Sequence, residues 1–560
     1  MRISKLETTL HALSLISFAI TPTIAAAQTS APGQPGLIQR QFQAPAEPRA
    51  QPGQFRVPIS PQVVPPNADQ VRFTLSHFEI EGMSVYRQDD MRSYFDPSLD
   101  REVSLADIYA IAAALTARYR NDGYILSQVL VPAQIVEDGR LKLQAVEGYV
   151  ARVVLEGDEE SRRALVTRYA RAIERERPLT SATLERYLLL MNDLPGAFAR
   201  ASLVASKTEP GASDLIVEFS QRRVSGGVSV DNRGSDALGP VRWSADLRLN
   251  SVLDLHETTG IKLVSTLNGE LDYASIWHEQ QIGVEGGKLG IQANAVRSRP
   301  AEGASFIPLN LQTRSDSGSI TYSYPVVRSR NQNLYVHAGL SSYDGSTELL
   351  RFTSSRDRIR ALRVGMTYDL ADPYQGINIL DFEIAQGLRA LGASEPHEPD
   401  LSRAEGRPDF TKFSLYAARL QSLAPGWSLL AALNAQYAAS DLLAPELFSF
   451  GGEQFGRGYD PAELVGDHGA AMKLEVRYTN ALDNGVGYTG YGFYDAGYVS
   501  QRTPAGLDDS SSAASAGIGL RFDLTRNFSG FVEIAKPLTR TVAAEGNRDL
   551  RGYVGLSARF

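Results

Sequence analysis

The C-terminal half of the chain alternates apolar and polar residues with a period of two. In 471–479, Met472, Leu474, Val476 and Tyr478 alternate with Lys473, Glu475, Arg477 and Thr479. In 517–524, Ile518, Leu520, Phe522 and Leu524 alternate with Gly517, Gly519, Arg521 and Asp523. The last run sets Val554, Leu556, Ala558 and Phe560 against Tyr553, Ser557 and Arg559. This period gives a strand one apolar and one polar face. From about 224 to 560 no helical period persists. The pattern predicts sixteen strands: 224–233, 240–250, 258–268, 272–282, 287–298, 312–325, 332–343, 358–370, 375–388, 409–421, 427–438, 469–481, 486–500, 512–523, 527–536 and 549–560. Even-numbered connections are short, and odd-numbered ones are mostly longer; the eleventh, 439–468, spans thirty residues. Short turns on one side and long loops on the other fit a transmembrane barrel, apolar toward lipid and polar toward the lumen. An even strand count returns both barrel ends to the short-turn side.

Ahead of the barrel, 71–222 carries two units with one order of elements, strand–helix–helix–strand–strand, repeating at about 75 residues. In the first, a strand at 71–81 and a short helix at 88–95 precede the main helix, 104–121. Ser104 caps that helix with Asp107 three residues on. Leu105, Ile108, Ala112, Leu115 and Tyr119 form its apolar stripe. Strands at 124–131 and 140–147 close the unit. In the second, a strand at 149–156 is followed by helices at 161–175 and 181–193 and strands at 198–205 and 213–220. Each unit is expected to be a small α/β domain. The fold expected is thus an all-β transmembrane barrel of sixteen antiparallel strands, preceded by two β-α-α-β-β domains at 71–148 and 149–222, with the barrel over 223–560.

The N-terminus changes the compartment. Arg2 and Lys5, the apolar stretch Leu10 to Ile24 and Ala25-Ala26-Ala27 read as a secretory signal peptide over 1–27. Residues 28–70 are rich in Pro, Gln and Ala and read as a linker, with a short helix around Leu37 to Phe42 weakly signalled. After the signal no run of about 18 apolar residues remains, so membrane crossing falls to strands. The 560 residues hold no cysteine and carry a net charge of −8. Disulfides and thiol sites are excluded, and the charge offers no basic footprint for nucleic acid.

Two segments of the barrel half carry candidate chemistry. Phe455-Gly456-Arg457-Gly458-Tyr459 lies in the long loop, where two glycines permit a tight turn that presents the guanidinium. Phe493-Tyr494-Asp495-Ala496-Gly497 lies on the strand 486–500, with Phe493, Asp495 and Gly497 on its lumenal face and Tyr488, Tyr494 and Tyr498 on the other. A carboxylate inside a barrel needs a partner or water, and a loop folded inward could bring Arg457 to Asp495. Solvated alternatives exist for both residues. Elsewhere, His77, His256, His278, His337, His397 and His468 are scattered without metal-ligand spacing, and no phosphate-cradling loop or hydrolase motif occurs. No catalytic residue, cofactor or metal is expected.

These motifs resemble those of the two-partner secretion outer-membrane transporters, the haemolysin secretion/activation type within the Omp85-like superfamily. Such proteins pair two polypeptide-transport-associated (POTRA) domains with a sixteen-stranded barrel. Their sixth outer loop carries an Arg-Gly-Tyr/Phe tip, matched by Arg457, Gly458 and Tyr459, and their thirteenth strand a Phe-x-Asp-x-Gly motif, matched by Phe493, Asp495 and Gly497. Tyr119 to Tyr124, Val131 to Gln134, Asp138-Gly139 and Val146-Glu147-Gly148 resemble the first POTRA signature, Asn192 to Gly196 the second, and Asp231 to Gly234 the entry to the barrel. Gly456 departs from the family, which more often has an aliphatic residue there. The likeness covers about 70–560.

The resemblance implies a pore in the outer membrane of a Gram-negative cell, with the POTRA domains in the periplasm. Its partner would be a secreted exoprotein with an N-terminal secretion domain, bound by the POTRA domains and threaded unfolded to the surface without ATP. It further implies that Arg457 and Asp495 anchor the loop, that a helix within 28–70 plugs the pore, and that Phe560 serves as a terminal-strand signal to the barrel-assembly machinery. Outer-membrane lipid is the remaining partner. An assembly factor of the same superfamily is the alternative, though such proteins usually carry more POTRA units; a passive porin needs none.

Overall fold

The computed structural model describes residues 34–43, 45–48, 62–157, 164–209, 211–300, 310–483, 485–502 and 510–560. The expected signal peptide lies outside these residues, as does part of the linker. Sixteen antiparallel strands, from Val224–Asp231 to Arg551–Arg559, close into one barrel. Each neighbours the next in sequence along the barrel wall, and the first pairs with the last from Gly555 opposite Asp231 to Arg559 opposite Gly227. Closure leaves no free edge in the hydrocarbon region. Alternation sets the faces: Val228, Leu247, Ile261, Ile276, Leu474, Ile518 and Val554 stand exposed on the outside. Phe560 continues the seam. Its N–H donates to Gly226 O at 3.0 Å, its carbonyl accepts from Gly226 N at 3.2 Å, and its ring is exposed.

The main departure from the sequence reading is height. The strands expected at 332–343 and 358–370 are Gln332–Leu349 and Phe352–Ala371, 18 and 20 residues long. The outward positions of their upper halves are polar: Ser342, Asp344 and Ser346 on the first, and Arg360, Arg358, Arg356 and Ser354 on the second. This composition suits a wall standing in water above the membrane, and the same composition hides it from a pattern search that needs an apolar outward face.

The first α/β unit has a sheet ordered His77–Glu81, Arg140–Val146, Gln128–Leu130, its first pair parallel. The strand expected at 71–81 breaks at Ser76, whose N–H turns to Gly139 O at 2.9 Å. The leading piece, Arg72–Leu75, pairs instead with a strand unseen in the sequence, Arg101–Ser104. The strand expected at 124–131 shrinks to Gln128–Leu130 because Tyr124 to Ser127 form a turn. The helix Leu105–Asn121 starts in a capping box, with Ser104 Oγ accepting from Asp107 N and Asp107 Oδ2 from Ser104 N. It buries Ile108, Ala112, Leu115 and Tyr119 against Leu141 and Leu143. The second unit repeats the plan with Val150–Gly157, Ser213–Gln221 and Ala197–Ala205, over helices Ala164–Arg175 and Ser181–Asn192.

The second unit rests on the short-turn end of the barrel. Arg328 grips Asp193 through two hydrogen bonds of 2.7 Å. Arg186 meets Glu285 at 3.2 Å, and Tyr187 Oη donates to the same carboxylate at 3.0 Å. Leu190 lies over Gly286, where a Cβ would collide with it. Bidentate and partly shielded, the Arg328 contact is of the stronger kind.

Candidate functional site

The loop between the eleventh strand, Trp427–Ala438, and the twelfth, His468–Ala481, folds into the lumen. It carries its own two-stranded ribbon, Phe448–Phe450 with Leu464–Gly466, which the sequence reading did not contain. The ribbon presents Phe455 to Tyr459 to the wall. Gly456 adopts φ +93°, a region costly for side-chain-bearing residues. It packs on the Phe450 ring, so this departure from the family pattern leaves the tip closely packed. Gly458 is held as near: a Cβ there would lie 2.8 Å from Ser515 Cβ.

Arg457, 3% exposed, meets Asp495 side-on through two bonds: Nε–Oδ2 is 2.9 Å and Nη2–Oδ1 is 2.8 Å. Asp495 Oδ2 also accepts the backbone N–H groups of Gly456 and Arg457 at 3.1 and 3.0 Å. One fully buried carboxylate therefore fixes both the side chain and the turn that bears it. Gly497 is small for a reason, since a Cβ there would overlap the Phe450 ring. Tyr459 Oη donates to Ala514 O at 3.0 Å on the next strand. The structure thus brings Arg457, Gly458, Tyr459, Phe493, Asp495 and Gly497 into one cluster; Phe560 lies apart, at the seam.

The cluster is larger than the two motifs. Arg457 Nη1 also bonds Glu475, and Glu533 stands 3.8 Å from it. Glu475 takes Arg477 Nε and Arg521 Nη1, each at 2.7 Å. Glu533 takes Tyr491 Oη at 2.8 Å and Arg233 at 3.1 Å. Three buried carboxylates thus face four arginines, which is how charge survives in such a site. Glu475, Arg477 and Arg521 sit at polar positions of the alternation, so their lumenal direction was legible; their convergence across strands was not.

A second cluster holds a helix inside the barrel. Pro35–Gln41 buries Leu37 and Ile38, while Phe42 packs against Tyr273, the rings tilted by 35° with centroids 4.8 Å apart. Arg40 donates to Leu447 O at 2.6 Å and to Pro445 O, at the root of the inward loop. Between those carbonyls, buried Glu446 takes Arg363 at 2.6 Å and Lys412 at 2.6 Å, with Arg40 at 3.4 Å. Cavities of ≈630 and ≈1030 Å³ remain beside the helix and the loop. Asp467, fully buried beside His468, is held by Arg403 at 2.7 and 3.0 Å. Among the described residues no group of acidic or histidine side chains could hold a metal ion.

The haemolysin secretion/activation protein ShlB/FhaC/HecB family model matches residues 211–522. A POTRA domain model of the ShlB type matches residues 73–148. The heme/hemopexin transporter protein HuxB of Haemophilus influenzae is 23% identical over 462 residues, 81% of each chain. The outer membrane transporter CdiB of Dickeya dadantii is 23% identical over 411 residues, 72% of each. Among solved structures, CdiB from Escherichia coli shares the fold at a TM-score of 0.74, with 18% identity, over 91% of this chain and 94% of that one.

Proposed function

This chain belongs to the haemolysin secretion/activation protein family ShlB/FhaC/HecB, and from that membership we propose how it carries its cargo. It is an outer-membrane two-partner secretion transporter that exports a partner exoprotein, with its POTRA domains in the periplasm. The exoprotein, led by an N-terminal secretion domain, arrives unfolded in the periplasm and binds the POTRA domains. The edge strand Ala197–Ala205 suits capture by strand addition: it borders its sheet, and Phe198 and Val204 stand exposed along it. A second edge, Gln128–Leu130, is three residues long against nine; a side chain already bonds both backbone groups of one residue at each, Gln62 at Val131 and Asn192 at Ala199. Cargo then threads through the lumen once the helix and the loop move, and folding outside, not ATP, draws it through.

The observation that carries this reading is a lumen occupied by two segments, the helix and the inward loop, held there by ion pairs, hydrogen bonds and apolar contacts with the wall and with each other. Arg457 and Asp495 anchor the loop; Gly458, Tyr459, Phe493 and Gly497 fit it to the wall; Pro35–Gln41 is the plug. The signal peptide at 1–27 would deliver the chain to the periplasm, and Phe560 would mark the last strand for the barrel-assembly machinery. Secretion of the exoprotein from the neighbouring gene, followed in medium and at the cell surface with and without this protein, tests the reading. Export should fall while other outer-membrane proteins keep their levels. Unchanged export with other barrels depleted would support an assembly factor instead.

A further inference from the structure

The outer face of the tall wall carries charge above the apolar belt. Four outward residues mark the belt there: Ile291, Ile320, Leu340 and Leu362, opposite one another on consecutive strands and 41–53% exposed. Climbing two residues per step away from the POTRA end, the next rows bring Arg360, then Arg358, and then Arg297, Arg314 and Arg356 in a single row with Ser346. Arg297 pairs with Asp316 at 3.0 Å, Arg360 with Asp344 at 3.0 Å and Arg358 with Glu398 at 3.5 Å. Arg314 and Arg356 are exposed and form no ion pair among the described residues. Arg297 and Arg314 stand directly opposite on neighbouring strands, about 5 Å apart at the backbone, a like-charge pairing unfavourable in a sheet that Asp316 offsets on Arg297 alone, leaving Arg314 without a counter-charge among the described residues. An anion bridging the two guanidinium groups reverses that sign, because arginine takes phosphate oxygens in pairs.

Height identifies the anion's carrier. Six residues separate Ile291 from Arg297, which is about 20 Å along the strand and roughly 15 Å of height after tilt. The headgroup layer of one leaflet is only about 5–8 Å thick, so a phospholipid headgroup does not reach the top row. A glycolipid does, if its phosphates sit on sugars that extend beyond the membrane surface. We propose that the outward face formed by Arg297, Arg314 and Arg356 on the tall wall binds the phosphorylated sugars of an outer-leaflet glycolipid, the lipopolysaccharide class. Bound glycolipid would tie the transporter to the outer leaflet on the side where cargo emerges.

The test is binding of rough lipopolysaccharide that retains its core phosphates to the purified full-length protein in detergent, read by native mass spectrometry. The triple variant Arg297→Gln/Arg314→Gln/Arg356→Gln should bind about tenfold more weakly. Dephosphorylated lipopolysaccharide and phosphatidylglycerol should bind no better to the natural protein than to the variant. Millimolar inorganic phosphate should fail to displace the glycolipid. Equal binding by the triple variant, equal binding of the dephosphorylated glycolipid, or displacement by inorganic phosphate alone would each overturn the proposal. Heat-modifiable gel mobility reports barrel folding; should the triple variant not fold, Arg314→Gln alone should weaken binding about threefold, and unchanged binding would overturn the proposal equally.

Discussion

The guanidinium of Arg457 lies on the face of the Phe493 ring, its central carbon 3.5 Å from the ring centroid. Phe493 has this room because Gly517, opposite it on the next strand, lacks a Cβ that would strike the ring. Stacking, a two-point grip on Asp495 and a third bond to Glu475 use the full planar fork of one arginine. Arg457→Ala or Asp495→Ala leaves one member of a buried pair alone, at a cost of about 3–5 kcal/mol. The barrel ladder does not depend on this pair. Both variants should therefore yield folded barrels with reduced secretion and altered single-channel conductance. Arg457→Lys should behave closer to Arg457→Ala than to the natural protein, since an ammonium forms neither the stack nor the fork. Full secretion by the alanine variants would remove the anchoring role.

Gly497→Ala tests packing apart from charge. The new methyl meets the Phe450 ring, and overpacking of this kind costs about 1–3 kcal/mol. Gly490, on the same strand, has open space around it, so Gly490→Ala serves as the control. Secretion should drop with the first substitution and hold with the second; equal effects would mean that Phe450 yields freely.

Arg40→Ala removes the plug's hydrogen bonds to two loop carbonyls and its ion pair with Glu446. Charged hydrogen bonds are worth about 1.5–3 kcal/mol, so the plugged fraction should shift by about tenfold or more. Longer or more frequent open-channel events in planar bilayers would record it. Unchanged gating would place the hold on the helix in Leu37, Ile38 and Phe42 instead.

Glu463, on the inward loop near its outer end, sets a pH dependence. Burial pushes its carboxyl up to about 7, with Asp460 adding to the rise and the Ala543 N–H opposing it. The folded state therefore holds this proton where an unfolded chain would release it. Its contribution is complete below the ordinary glutamate range, near 4.5, and is lost as pH rises toward 7. The thermal midpoint should fall between pH 5 and pH 8, and Glu463→Gln should flatten that part of the profile. An identical slope in the variant would assign the dependence to other groups.

The strands of this barrel were legible wherever one face met lipid, because lipid imposes the alternation. Recognition failed where lipid ends: the outward positions of the upper parts of Gln332–Leu349 and Phe352–Ala371 are polar, and Ile359 and Ala361 face inward, buried against Leu401, Phe410 and Leu442, so the alternation that lipid imposes stops there. The motif residues Arg457 and Asp495 were legible as a resemblance and from the spacing of Phe493, Asp495 and Gly497. Glu533, Arg233 and Glu446 were not, because each acquires its meaning from partners far away in sequence, such as Arg40 for Glu446. The helix Pro35–Gln41 was weak in the sequence for a related reason. At seven residues it has little helical stability of its own, and the lumen supplies the contacts that hold it.

Glu446 retains Arg363 and Lys412 when Arg40 withdraws, so departure of the helix strands no buried charge on the wall. The converse does not hold. The carbonyls of Pro445 and Leu447 belong to the loop, and a loop that swings away takes the acceptors of Arg40 with it. The two obstructions are therefore coupled unequally: the helix can leave with Glu446 still paired, whereas a loop that moves leaves the helix only its own contacts with the wall, Ile38 and Phe42 among them.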